Sequence, residues 1–150
     1  MIPNSTFSLE LLKTYQECEE FALRVQQRSP DLAALARHKA VELRAAGHGA
    51  KTAIEREVLQ AVYAYEEALS VKRGRRTRAS RTWQMIERHG ILAAAERAVN
   101  RPKETEGYAV LVELGLQDFL FEAVILRHPD AFSAEAVARS KERLGGRDEA

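Results

Sequence analysis

The sequence predicts an all-α fold: a single compact bundle of seven to eight short and medium helices. Two observations support this prediction. Apolar residues recur with a helical period along almost the whole chain, and residues that cap helices stand between the periodic segments. The 150 residues, 45% of them hydrophobic and 30% charged, suit one domain over residues 1–150 with a substantial core.

The first predicted helix begins at Ser8, whose side chain would cap it, and continues to about residue 25. Its buried face is expected to contain Leu11, Tyr15, Cys18, Ala22 and Val25. Ser29 and Pro30 then supply an N-cap and a proline at the first position of a second helix. That helix is expected to end near Ala46, where two glycines follow closely.

The third predicted helix is the most amphipathic of the chain. Thr52 and Glu55 have the spacing of a capping box, in which each side chain accepts the other residue's free backbone N–H. The helix is predicted to end near Val71, so that residues 72–79 form a basic connector or a frayed helix end. Its apolar face is expected to contain Ile54, Val58, Ala61, Tyr65 and Leu69.

A short fourth helix is predicted from Ser80, as its N-cap, to His89, with Gly90 ending it. The fifth helix follows directly and continues through Val99. It is expected to stop before Pro102, since proline cannot continue a helix.

The remaining sequence predicts three more helices. The sixth covers 104–114 and ends in a glycine followed by an apolar residue, and the seventh covers 117–128 before a proline. Ser133 is the predicted N-cap of the last helix, which is expected to end at Gly145 and Gly146. Residues 146–150 are then expected to form a frayed tail.

The strongest functional signal is a basic stretch, residues 72–81, that contains no acidic residue. The whole chain carries a net charge of only +1. Residues 72–103 hold ten basic and two acidic side chains, a net charge of +8, and the other thirteen basic and twenty acidic residues give −7. This uneven distribution predicts a specific polar partner surface, not a uniformly basic protein.

Arginine guanidinium groups present forked donors that match phosphate oxygens. The 72–88 segment therefore predicts a non-enzymatic protein that contacts the phosphates of DNA or RNA by charge, without reading bases, as a subunit of a nucleoprotein complex would. The predicted contact residues are Lys72, Arg73, Arg75, Arg76, Arg78, Arg81 and Arg88.

An alternative interpretation is an adaptor that binds another protein. In that case the basic edge meets an acidic surface, or an apolar helix face meets a partner helix. The apolar residues proposed for that second contact are Phe119, Phe121 and Ile125.

Residues 82–101 have the length of a helix-turn-helix, with Gly90 between two helices. Two features disfavour a base-reading motif. Glu96 stands where an apolar residue normally packs the two helices together, and the alanines at 93–95 offer no side chains that read bases.

Trp83, the only tryptophan, follows the basic stretch and precedes Ile86 by about one helical turn. This spacing predicts a core residue that anchors the basic segment. Stacking against a ligand is the less favoured role.

Catalytic and metal-binding patterns are weak. The four histidines lack metal-ligand spacing, and the single cysteine, Cys18, lies on an apolar face, so no metal and no cofactor is predicted. Glu122 interrupts an apolar run and shares a helical face with Asp118, a pairing that could serve acid–base chemistry. The favoured interpretation is a buried acid paired with an arginine such as Arg127 or Arg88.

The first residues lack the charged and apolar regions of a signal peptide. The longest uninterrupted apolar run, residues 91–95, is too short to span a bilayer. Together with the single cysteine, these features predict a cytoplasmic protein with no membrane contact.

Overall fold

The computed structural model describes residues 9–101 and 107–149, with side chains up to residue 145. No strand occurs in these ranges, which confirms the all-α prediction. Short 3-10 helices precede and follow α7, at Gln117–Phe119 and Pro129–Ala131. The α-helices are α1 (Tyr15–Val25), α2 (Pro30–His48), α3 (Ala53–Arg73), α4 (Ser80–His89), α5 (Ile91–Val99), α6 (Tyr108–Glu113), α7 (Phe121–Arg127) and α8 (Ala134–Glu149).

The α3 helix is the central element of the bundle. It packs against α2, α5, α6 and α7, and it supplies residues to two hydrophobic clusters on different sides. Because α3 is enclosed in this way, even two of its acidic residues, Glu66 and Glu67, are only 2% and 7% exposed. A buried carboxylate needs partners, so α3 is also where the polar interactions of the core converge.

The first helix begins later than predicted. Thr14 and Glu17 form a complete capping box: the Thr14 hydroxyl accepts the Glu17 N–H at 3.1 Å, and the Glu17 carboxylate accepts the Thr14 N–H at 3.1 Å. This cap separates α1 from a helical turn at residues 9–11 and leaves Leu11 59% exposed, so its predicted burial was wrong. The rest of the predicted face holds, with Cys18, Ala22 and Val25 buried and Tyr15 half-buried; Ser8 lies outside the described residues.

The predicted start of α2 is confirmed, because the Ser29 hydroxyl accepts the Leu32 N–H at 3.3 Å and Pro30 is the first helical residue. The helix continues two residues beyond the predicted Ala46, to His48. It ends at Gly49, one of the two glycines expected to close it, whose φ of 82° is the left-handed conformation that favours glycine.

The predicted capping box at the start of α3 is half formed. The Thr52 hydroxyl accepts the Glu55 N–H at 3.1 Å, as predicted. The Glu55 carboxylate accepts the N–H of Lys51 at 3.2 Å instead of that of Thr52. The Glu55 carboxylate therefore bonds to the residue before the N-cap and not to the N-cap residue itself.

The α4 helix is not capped by Ser80, which is its first helical residue; Ala79 occupies the N-cap position and offers no side-chain acceptor. The predicted end is confirmed, since Gly90 adopts a φ of 94° and its N–H bonds to the Ile86 carbonyl at 2.8 Å. The fifth helix starts at the next residue, as expected.

The α6 helix ends as predicted. The N–H groups of Gly115 and Leu116 bond to the carbonyls of Val112 and Leu111 at 3.0 and 3.1 Å, the pattern of a Schellman motif. The first predicted residues of this helix, 104–106, lie outside the described part of the chain.

The predicted seventh helix, 117–128, is interrupted. Leu120 has extended backbone angles (φ −60°, ψ 143°) and separates the first 3-10 helix from α7. In one continuous helix Phe119 and Phe121 would point about 200° apart. The break allows both rings to enter the core, where they are 7% and 5% exposed.

Ser133 caps α8, as predicted, by accepting the Ala136 N–H at 3.1 Å. The predicted end at Gly145 and Gly146 was wrong, because the helix continues to Glu149. Within the described residues, no helix combines the length and the apolar character that a membrane span needs.

Replacement of Gly115 by alanine is expected to lower the free energy of unfolding by about 2 kcal/mol, through backbone strain and overpacking. Gly115 has a φ of 77°, and an added Cβ would lie 2.9 Å from the Cβ of Ala34. Gly49→Ala is the matched control, since Gly49 has a similar φ of 82° but open space around it. Urea denaturation of both variants separates strain from collision; equal losses would argue against the collision.

Candidate nucleic-acid interface

The basic connector starts with a fixed turn. The N–H groups of Gly74 and Arg75 bond to the carbonyls of Val71 and Ser70 at 3.3 and 3.1 Å, a second Schellman motif, and Gly74 has a φ of 73°. Lys72 and Arg73 therefore belong to the last turn of α3, and the connector proper is residues 74–79. The predicted helix end near Val71 was too early.

The connector is tied back to α3 through Ser70. The Ser70 hydroxyl accepts the Thr77 N–H at 2.9 Å, and the Thr77 hydroxyl donates to the Arg75 carbonyl at 3.0 Å. These bonds fold residues 75–77 into a compact turn against the end of α3.

Glu66 of α3 fixes the other end of the connector. Its Oε2 accepts the Ala79 N–H at 2.8 Å and the indole N–H of Trp83 at 2.6 Å. Its Oε1 accepts the Arg44 guanidinium of α2 at 2.9 Å. A carboxylate from a different helix thus holds the start of α4, where the sequence predicted a serine cap.

Sequence reasoning missed Glu66, although a signal was present. Glu66 follows Val62 by four residues and precedes Leu69 by three, so it lies on the apolar face of α3. An acid on such a face is either desolvated without compensation or bound to donors from neighbouring elements.

A second polar cluster joins the connector to α1 and α2. The Arg76 guanidinium pairs with the Glu19 carboxylate of α1. The Glu67 carboxyl lies next to that of Glu19, and the Nε of Arg37, a residue only 2% exposed, lies 3.4 Å from the Glu67 Oε1. Burial, together with the neighbouring Glu19, raises the pKa of Glu67 to about 8.

Trp83 is 9% exposed, which confirms its predicted place in the core. Its ring lies 5.2 Å from the Tyr63 ring and 5.3 Å from the His48 ring, centroid to centroid. The Arg78 guanidinium lies over the indole, 5.5 Å from the ring centroid. The basic connector is therefore anchored to Trp83 as well as to Glu66.

All seven predicted residues are exposed. Two of them, Arg76 and Arg78, also contact Glu19 and Trp83 of the protein itself. The other five lie on three consecutive elements, the last turn of α3, the connector and α4: Lys72, Arg73, Arg75, Arg81 and Arg88.

Arg81 and Arg88 are seven residues apart on α4, so they lie on one face and about 10 Å apart along the helix axis. Gln84 is exposed on the same face between them. The structure thus extends the charge of the connector along the surface of α4.

The possible helix-turn-helix of α4 and α5 has no free second helix. In α5, Ala94, Ala95 and Val99 are buried, and the helix packs against α3, α7 and α8. Its Glu96 carboxylate accepts the Ser133 N–H at 2.7 Å and thereby supports the start of α8. A recognition helix needs an exposed face to enter a major groove, and α5 uses its surface for packing.

An open groove of about 670 Å³ lies where α4 and α5 meet. The described residues that line the groove are Met85, Ala93, Glu96, Arg97, Asn100 and Arg101. The acidic residue among them is Glu96, and its carboxylate already accepts the Ser133 N–H.

Glu122 is a buried acid with an arginine partner, as predicted, but the partner is different. Glu122 is 4% exposed, and its Oε2 accepts Arg143 of α8 at 2.9 Å. Arg127 instead pairs with Glu57 at 2.8 Å, and Arg88 lies exposed on α4. The two arginines named from the sequence were therefore wrong.

The apolar face proposed for a partner helix lies inside the protein. Phe119, Phe121 and Ile125 are 7%, 5% and 0% exposed, so they pack in the core and offer no docking surface. That part of the adaptor interpretation was wrong. The basic edge, whose residues are exposed, is the remaining surface on which that interpretation could rest.

Cys18 is fully buried, as predicted, and burial raises the pKa of its thiol. In the parts of the chain that the structure describes, no group of three or more histidine, cysteine or acidic side chains is placed to hold a metal ion. No family model, curated protein or solved structure matches this chain.

Proposed function

We propose that this protein binds nucleic acid through the exposed basic surface of 72–88 and contacts phosphates without catalysing a reaction. The observation that carries the proposal is the fixed basic connector. Gly74 sets its first turn, the Ser70 hydroxyl holds its middle, and Glu66 holds its end. Because folding already orders the connector, binding does not have to include the entropy cost of ordering it, and this favours affinity.

The distribution of acids also supports phosphate as the ligand. Within 72–88 the only acidic residue is Glu87, which follows the connector by eight positions. Among the described residues, Glu19 pairs with the connector residue Arg76, while Arg75 and Arg78 of the connector are exposed to solvent. A surface of one sign attracts a polyanion, and its effect on association weakens with salt.

Five phosphate contacts predict a steep dependence of affinity on salt. The logarithm of the association constant is expected to fall with the logarithm of salt concentration with a slope of about −4 to −5 on duplex DNA. On a single strand the same contacts give a slope of about −3.5. Fluorescence anisotropy with a labelled oligonucleotide measures both slopes.

The decisive variant replaces Arg75, Arg81 and Arg88 with alanine. All three are exposed and none contributes a side-chain contact to the anchors of the connector, so the fold should persist. The duplex slope is expected to become shallower by about 3, one unit for each lost phosphate contact.

The matched control removes the same charge elsewhere, with Arg24, Arg28 and Arg56 replaced by alanine. These arginines are also exposed, on α1, just after α1, and on α3. The control is expected to keep the wild-type slope. If the two triple variants bind alike, bulk charge explains any binding, and the basic surface of 72–88 is not the interface.

A second candidate function is binding of an acidic protein surface through the same residues. The observation in its favour is Arg76, a connector arginine that already takes a carboxylate partner, Glu19, within the chain. A pull-down from lysate, with and without nuclease, separates the two functions. Partners lost on nuclease treatment indicate nucleic acid, and partners that resist it indicate direct protein contact.

A further inference from the structure

The last residue of α2, His48, forms an exposed aromatic surface beside the basic connector. Its ring lies parallel to the Trp83 indole, with an interplanar angle of 10° and a centroid distance of 5.3 Å. Its Nδ1 lies 3.3 Å from the Tyr63 hydroxyl. Trp83 and Tyr63 thus fix the orientation of a ring that is itself exposed to solvent.

The support behind His48 is rigid. The Trp83 indole is held by the Glu66 carboxylate at 2.6 Å, and Tyr63 lies under the Arg44 guanidinium at 4.5 Å from its ring centroid. Arg44 is in turn held by Glu66 at 2.9 Å. The platform and the end of the basic connector therefore share one anchor.

Charge and stacking surface meet at this point. Arg78 lies over the same Trp83 ring against which His48 stacks, with its guanidinium 5.5 Å from the centroid. A nucleotide presents the complementary pair of groups, since its base has a flat π-face and its phosphate is anionic. In a duplex both faces of each base are covered by the neighbouring bases, so only an unpaired base can use such a platform.

We infer that His48 is a stacking platform for an unpaired base and that the ligand of the basic surface is single-stranded nucleic acid. The inference rests on the proposed function and specifies its ligand. Trp83, which is almost fully buried, supports the platform from behind, and the base stacks on the imidazole.

The test compares the affinities of His48 variants for a single-stranded oligonucleotide of mixed sequence and for the duplex formed with its complement. His48→Ala is expected to bind the single strand about tenfold more weakly, the effect of losing one base–aromatic stack, and to bind the duplex like the wild type. His48→Phe keeps a ring without a charge and is expected to retain single-strand affinity. Emission from Trp83, the only tryptophan, should respond to the single strand, because the base stacks next to its neighbour.

His89→Ala is the matched control, since His89 is an exposed histidine at the end of α4. The inference is overturned if His48→Ala and His89→Ala bind the single strand equally well. It is also overturned if His48→Phe is as weak as His48→Ala, since the histidine would then act by charge or hydrogen bonding. Loss of binding in the Arg75, Arg81 and Arg88 variant together with a neutral His48→Ala would retain the proposed function and reject only the platform.

Discussion

Replacement of Glu66 by alanine is expected to lower the free energy of unfolding by about 3–5 kcal/mol, the usual consequence of removing one member of a buried ion pair. Glu66 is 2% exposed and accepts three donors, from Arg44, Ala79 and Trp83. Alanine leaves the Arg44 guanidinium and two N–H groups without their acceptor. Urea denaturation followed by Trp83 fluorescence measures the loss.

The same variant is expected to loosen the basic connector. The start of α4 would lose the carboxylate that holds it, so trypsin should cleave within 72–81 faster than in the wild type. Glu42→Ala, at an exposed position of α2, is the control and should change stability by less than about 0.5 kcal/mol. A Glu66→Ala variant as stable and as protease-resistant as Glu42→Ala would contradict the role assigned to Glu66.

The stability of the protein is expected to fall as pH rises from about 4.5 to about 8, because of Glu67. Burial, with the nearby Glu19, raises the pKa of Glu67 from 4.5 to about 8 in the folded protein. Between these values the folded state holds a proton that the unfolded chain has released, so this contribution to stability is complete below pH 4.5 and lost above pH 8.

Glu67→Gln removes the ionisable group and resembles its protonated form. The variant is expected to lack this component of the pH dependence and to be more stable than the wild type above pH 8. Urea midpoints between pH 5 and pH 9 measure the difference, and Glu42→Gln serves as the exposed control. Parallel pH profiles for the wild type and Glu67→Gln would show that Glu67 ionises normally in the folded state.

The pH experiment also bears on the basic connector. Glu67 lies next to Glu19, and Glu19 pairs with Arg76 of the connector. Ionisation of Glu67 therefore changes the charge beside the carboxylate that holds Arg76. Arg37 faces the same carboxyl from α2, at 3.4 Å. Comparing nucleic-acid affinity in the wild type and Glu67→Gln across the same pH range would show whether the ionisation of Glu67 affects binding by the connector.

Local chemistry explains what could be read from the sequence. The starts at Ser29, Thr52 and Ser133 and the turn at Gly115 were predictable, because a cap or a left-handed glycine depends on residues within one helical turn. The start of α1 was missed because the apolar period continues across Thr14, although the Thr14 and Glu17 capping box is itself a local signal.

Contacts between distant residues could not be read in this way. Glu122 was recognisable as a buried acid, but its partner, Arg143, is 21 positions away on α8, and many arginines could have filled that role. The break at Leu120 is likewise a response to packing, since it buries two phenylalanines that one helix could not bury together.

By itself, the sequence determined the helical class, several helix boundaries and the concentration of positive charge in residues 72–88, because these depend on composition and short-range spacing. The tertiary structure decided which contacts those side chains make. Arg76 and Arg78 contact Glu19 and Trp83, and they are exposed to solvent like Arg75, Arg81 and Arg88. It also placed His48 against Trp83, which is 35 positions away, because only the packing of α2 and α4 around α3 brings those rings together.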